Sequence, residues 1–115
     1  MQFEGIYTPI VTPYHDDFSM NEEALAATVE HLVFAGVQGI IVAGSTGEYY
    51  AQTFEERVWM MQRCADLIKG RVPMIVGTGA IRTEDSVAYA KAAKNVGADA
   101  LLVATPPYAY PTGRE

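Results

Sequence analysis

The residues best suited to chemistry stand together in one short stretch, Gly44-Ser45-Thr46-Gly47-Glu48. Flanking glycines let a backbone approach a ligand closely and reach positive φ. Successive N–H groups in such a turn form a cradle for an anion. The adjacent hydroxyls of Ser45 and Thr46 add donors and a route for a proton. The set suits a carboxylate better than a pyrophosphate, because neither Gly-x-Gly-x-x-Gly spacing nor a P-loop lysine is present. The same composition also serves a turn that only caps the next helix, and the residues alone leave both uses open. Glu48 reads as a residue that holds the loop, since no second acid is placed to work with it.

Further along the chain, Gly77-Thr78-Gly79-Ala80 reads as a plain strand-to-helix turn. Tyr108, beside Pro106 and Pro107, is a rigidly carried phenol suited to proton transfer or to packing. Tyr49 and Tyr50 either line a pocket or pack beneath the loop. His15 sits in a polar loop with Asp16 and Asp17, and His31 falls off the apolar stripe of a helix. Neither histidine has a partner at metal-ligand spacing, so no metal is expected. The single cysteine, Cys64, excludes an internal disulfide or a cysteine cluster and is expected to be buried in a helix. Lys69, Lys91 and Lys94 are the only lysines, one at a helix end and two on an outer helix face.

Three helical patterns alternate with four short apolar runs, and these must position the loops. The runs are expected at residues 5–11, 39–43, 72–76 and 100–104; the first is rich in β-branched residues, and the second is continuously apolar, as suits a parallel strand buried on both faces. The first helix is expected from Asn21, with Glu22 and Glu23 in its first turn and Leu25, Val29, Leu32 and Val33 on one face. Thr53-Phe54-Glu55-Glu56 is a capping-box pattern. It opens a second helix whose expected stripe is Phe54, Val58, Met61, Ala65 and Ile68. Thr83 is suited to cap a third helix, with Tyr89, Ala92, Ala93 and Val96 turned inward and Lys91 and Lys94 outward. Gly36, Gly70 and Gly97 read as helix stops. Residues 36–43 and 97–104 form a faint internal repeat, each a stop, a turn and a buried strand.

The order β-α-β-α-β-α-β predicts an α/β fold with a parallel sheet and right-handed crossovers. A doubly wound open sheet and part of a (β/α)8 barrel both fit, and both place ligands at the carboxyl ends of the strands. There the sequence puts Thr12-Pro13, then residues 44–48, then 77–80, then Thr105-Pro106-Pro107-Tyr108, all around one mouth. A receiver domain should carry acids after strand 1, and a dinucleotide binder its glycine fingerprint; Thr12-Pro13 is neither.

Composition bounds the rest. The 115 residues suit a single domain, half apolar and 19% charged, which is globular rather than disordered. A net charge of −6 argues against nucleic acid as a partner. It leaves a small anion open, because local donors bind one within an acidic protein. No apolar run is long enough for a membrane span, and the N-terminus lacks a basic and apolar leader, so a soluble cytoplasmic protein is expected.

Thr8-Pro9-Ile10-Val11-Thr12-Pro13, Gly44-Ser45-Thr46-Gly47-Glu48, Val76-Gly77-Thr78-Gly79 and Thr105-Pro106-Pro107-Tyr108, paced by roughly one βα unit each, resemble four successive motifs of the dihydrodipicolinate synthase / N-acetylneuraminate lyase family. The resemblance runs over essentially the whole chain. It implies the N-terminal half of a (β/α)8 TIM barrel (β1-α1-β2-α2-β3-α3-β4), residues 1–115 forming one partial domain. It further implies a metal-independent lyase or aldolase without a cofactor, in which a lysine on strand 6 forms a Schiff base with pyruvate or a related 2-oxo acid. Ser45 and Thr46 match the hydroxyl pair that holds the carboxylate, with Gly47 in the same loop. Ser45 also matches a member of the proton relay. Tyr108 matches a relay tyrosine which, in the synthase branch, reaches a neighbouring subunit's site. None of the three lysines stands at a strand end. The chain is therefore expected to be the N-terminal portion of the enzyme, inactive alone, and to form a homo-oligomer or pair with the other half of the barrel. A non-catalytic half-barrel or binding module is the alternative, and the sugar-acid aldolase or neuraminate lyase branch is not separated from the synthase.

Overall fold

The computed structural model describes residues 2–107 and 112. Four parallel strands, β1 (Tyr7–Pro9), β2 (Gly39–Val42), β3 (Met74–Gly77) and β4 (Ala100–Leu102), pair in the order β1-β2-β3-β4. Ile40 stands opposite Met74, and Ile75 opposite Ala100. Between them run helices α1 (Glu22–Phe34), α2 (Phe54–Ile68) and α3 (Thr83–Asn95). Strictly sequential order with right-handed crossovers puts every helix on the same side of the sheet. That is the arc of a barrel wall, and it excludes the doubly wound alternative, whose strand order must reverse at a switch point.

Local chemistry accounts for most boundaries. The Asn21 side chain accepts the Ala24 N–H at the start of α1. Thr53 and Glu56 close the expected capping box of α2, worth about 1 kcal/mol. Gly36 and Gly97 take φ of 82° and 81° just after α1 and α3, and β2 and β4 begin three residues beyond each. The internal repeat therefore marks two equivalent helix-to-strand returns. α3 departs from expectation at its start. Thr83 is its first residue and Arg82 the cap, with no side-chain capping bond. Arg82 instead places its guanidinium 3.8 Å from Glu84 and 3.9 Å from Asp85.

The core lies between the sheet and the helices. Ile40, Val42, Met74 and Val76 meet Leu25 and Val29 of α1, the buried side of α2, and Ala93 of α3. The stripe of α2 is rotated from the expected one: Arg57, Met60, Met61, Cys64 and Ile68 are buried, while Phe54 is 44% exposed and Val58 half-buried. Apolar periodicity passed over residue 57 because an arginine occupies a core position. Cys64 is fully buried, and desolvation pushes its thiol up to about 12. No helix among the described residues is long and apolar enough to cross a membrane.

Candidate active-site mouth

The connection from β2 to α2 carries the hydroxyl pair. After Val42 the chain turns sharply: Ala43 takes φ 55°, Gly44 is extended at φ −84° and ψ −176°, and Ser45–Gly47 form one turn of 3-10 helix. Glu48 then takes φ 58° before a second such turn at Tyr49–Ala51. Positive φ thus falls on Ala43 and Glu48, not on the two glycines expected to supply it. Gly47 is needed for space: a Cβ there would lie 3.0 Å from the Ile10 carbonyl oxygen and 3.4 Å from Thr12 Oγ1.

The loop is tied down from behind. Thr12 donates its hydroxyl to the Gly47 carbonyl at 2.8 Å, and Gln52 donates its amide to the same oxygen at 3.2 Å and to Thr12 Oγ1 at 3.1 Å. The Gly47 and Glu48 amides are spent on the Gly44 and Ser45 carbonyls. The expected cradle therefore narrows to the amides and hydroxyls of Ser45 and Thr46. These four donors have no hydrogen-bond partner among the described residues, and both side chains are exposed. Four donors carried by two adjacent residues match the acceptor capacity of a carboxylate. Glu48, expected to hold the loop, is exposed and makes no side-chain hydrogen bond among the described residues.

The next connection, β3 to α3, stands against the first. A Cβ on Gly77 would overlap the Ala43 carbonyl oxygen, so the two strand ends touch backbone to backbone. Thr78 is fully buried, and its hydroxyl has no hydrogen-bond partner among the described residues. The carbonyls of Gly77 and Gly79 accept from the Arg57 guanidinium at 2.6 and 3.0 Å. Arg57 is only 2% exposed, and burial holds its pKa below the ordinary arginine value. Its guanidinium carbon lies 4.5 Å from the Tyr49 ring centre and 4.0 Å from that of Tyr89. Tyr49 therefore packs under the loop, whereas Tyr50 is 69% exposed. Arg57 and Gln52 escaped the sequence reading. Their only signal was polarity at positions that a helix stripe or a turn would bury.

A cavity of about 140 Å3 opens between the two loops, lined by Gly44, Ser45, Tyr49, Arg57, Gly77 and Gly79 among others. A larger and more open cleft of about 640 Å3, lined by Tyr14, His15, Asp16, Phe18, Glu48 and Glu56 with Ala51, lies away from the hydroxyl pair. The smaller cavity is the better candidate, because Ser45, one of the two residues with unpartnered donors, lines it. Tyr108 falls outside the described residues. Lys69, Lys91 and Lys94 are all exposed and remote from the strand ends, at the C-cap of α2 and on α3. No group of three metal-ligating side chains occurs among the described residues.

The chain as a whole is similar to known proteins. The model of the dihydrodipicolinate synthetase family matches residues 2–115. The 4-hydroxy-tetrahydrodipicolinate synthase of Methanoculleus marisnigri is 40% identical over 111 residues, covering 95% of this chain and 38% of that protein. The crystal structure of dihydrodipicolinate synthase from Aquifex aeolicus superposes with a TM-score of 0.92 at 37% identity, covering 97% of this chain and 38% of that one. YagE, an E. coli K12 prophage protein of the dihydrodipicolinic acid synthase family solved in complex with pyruvate, superposes with a TM-score of 0.93 at 30% identity, covering 97% and 38%. The chain thus spans little more than a third of the length of the relatives it matches. Its four-stranded wall is the N-terminal half-barrel of their fold, and the chain belongs to the dihydrodipicolinate synthetase family.

Proposed function

We propose that residues 1–115 form one partial barrel domain that supplies the carboxylate-binding side of a pyruvate-dependent Schiff-base lyase or aldolase, dihydrodipicolinate synthase-like. The observation that carries this reading is the set of unpartnered amides and hydroxyls at Ser45 and Thr46, of which Ser45 lines a cavity at the strand ends. Thr46 and the two amides hold the carboxylate of a 2-oxo acid, and Gly47 gives the loop its close fit. Ser45 and Tyr108 pass the proton that carbinolamine formation and its dehydration require. The attacking amine adds to the ketone carbon, and the ketone oxygen leaves as water once protonated through that relay. Since no lysine of this chain stands at the mouth, the amine comes from residues outside it. The working enzyme is a cytoplasmic homo-oligomer, or this segment paired with the rest of the barrel. The absence of a lysine at the mouth also favours a second reading, a non-catalytic half-barrel or binding module.

Borohydride trapping with pyruvate, read by intact mass, separates the two. It is applied to this polypeptide and to the longest chain its gene encodes. A reduced adduct on the longer chain alone is the expected result, and Ser45→Ala should slow its formation while Thr46→Val should mainly raise the pyruvate concentration required. Failure of both chains to form an adduct would sink the Schiff-base reading in favour of the binding module. Pairing sugar acids against aspartate semialdehyde as second substrates then assigns the branch.

A further inference from the structure

We propose that Arg57 is the positioning residue of this mouth: held between two tyrosine rings and bonded to two carbonyls of the β3–α3 connection, it fixes where the β2–α2 connection stands and so where Ser45 and Thr46 present their donors. Its consequence for pyruvate rests on the function proposed above.

A cation this deeply buried is ordinarily offset by an anion. The salt bridges among the described residues belong to Arg63, Arg71 and Arg82, so Arg57 has no acid partner among them. Its charge is met by the Gly77 and Gly79 carbonyls and by the faces of Tyr49 and Tyr89. That arrangement uses both properties that lysine lacks, a rigid donor fork and a flat stacking surface. Each contact belongs to a different part of the mouth. Tyr49 lies in the 3-10 turn that follows the hydroxyl pair, Tyr89 in α3, and the carbonyls flank Thr78. Gly77 also touches Ala43, which leads into Ser45. Arg57 therefore grips the β2–α2 connection after the pair and backs it, through Gly77, before the pair. An apolar residue at this core position would fill the volume and couple nothing.

Amide hydrogen exchange on the longest chain the gene encodes tests the clamp. The reporters are the hydrogen-bonded amides of Gly47, Glu48 and Thr78. Arg57→Lys should speed all three by about tenfold through local opening, while amides in α1 and β2 keep their rates. Arg57→Met, which keeps the volume, should not restore protection. Tyr49→Ala removes one face of the clamp and leaves the carbonyl bonds, so it should speed Gly47 and Glu48 but not Thr78. The half-saturating pyruvate concentration in borohydride capture should rise about tenfold in Arg57→Lys, in step with the loop opening. Wild-type protection of the three amides in Arg57→Met, or a uniform rise in exchange across the chain, overturns the proposal. If the loops loosen as expected but wild type forms no pyruvate adduct, the clamp stands and the 2-oxo acid reading fails. If wild type forms the adduct and the reporters ignore Arg57→Lys, the clamp alone is wrong.

Discussion

Gly44-Ser45-Thr46-Gly47 and Gly77-Thr78-Gly79-Ala80 each follow a buried strand, mix glycine with hydroxyl residues, and lead into a helix. The first turns Ser45 and Thr46 outward with their donors unspent. The second buries Thr78 completely and turns its carbonyls toward Arg57. Their glycines differ in the same way. A Cβ on the buried Gly44 would make only an ordinary contact, 3.7 Å from Ile41 Cγ2, whereas a side chain on Gly77 would collide with a neighbouring backbone. Similar composition therefore serves a ligand-facing turn in one case and an internal support in the other. The deciding factor is which backbone stands across from each.

Substitutions at these positions sharpen the contrast. Gly77→Ala should have the largest effect, a loss of about 3 kcal/mol in urea denaturation, because Ala43 is backbone and cannot rotate away. A near-neutral result would mean that the two strand ends are not in contact. Gly47→Ala should cost roughly 1–2 kcal/mol, since the Ile10 carbonyl must give by a few tenths of an ångström. Thr78→Val should go the other way and stabilise by up to ~1 kcal/mol, removing a buried hydroxyl that has no partner among the described residues. Destabilisation there would reveal an unrecognised hydrogen bond. Gly44→Ala should stabilise by only ~0.5 kcal/mol, because its φ of −84° suits alanine and the gain comes from the unfolded chain. A large loss at Gly44 would erase the distinction between the two loops.

Much of this was legible in residue order. The capping box at Thr53 and Glu56, the cap at Asn21 and the helix stops at Gly36 and Gly97 rest on contacts within a few residues, so local chemistry suffices to read them. The inward face of α3 follows from periodicity and holds, with Ala93 buried and Tyr89, Ala92 and Val96 packed against the core. The stripe of α2 was read only in part: Met61 and Ile68 are buried and Ala65 packs against the core, but Arg57 and Met60 were missed. A pattern search takes arginine as exposed, whereas Arg57 lies in the core because carbonyls from a loop 20 and 22 residues away receive its donors. The positive φ values at Ala43 and Glu48 were equally hidden, since those residue types do not advertise that conformation.

The sequence by itself determined the alternation of strands and helices, the loops that ring the mouth, and the family, because each depends on local propensity or on motifs in order. Tertiary structure alone decided the sequential strand order that makes a barrel wall, the exposure of the Ser45 and Thr46 hydroxyls against the burial of Thr78, and the burial of Arg57. Those outcomes depend on which distant backbone groups meet, and hydrogen-bond satisfaction between them is not written in any single segment.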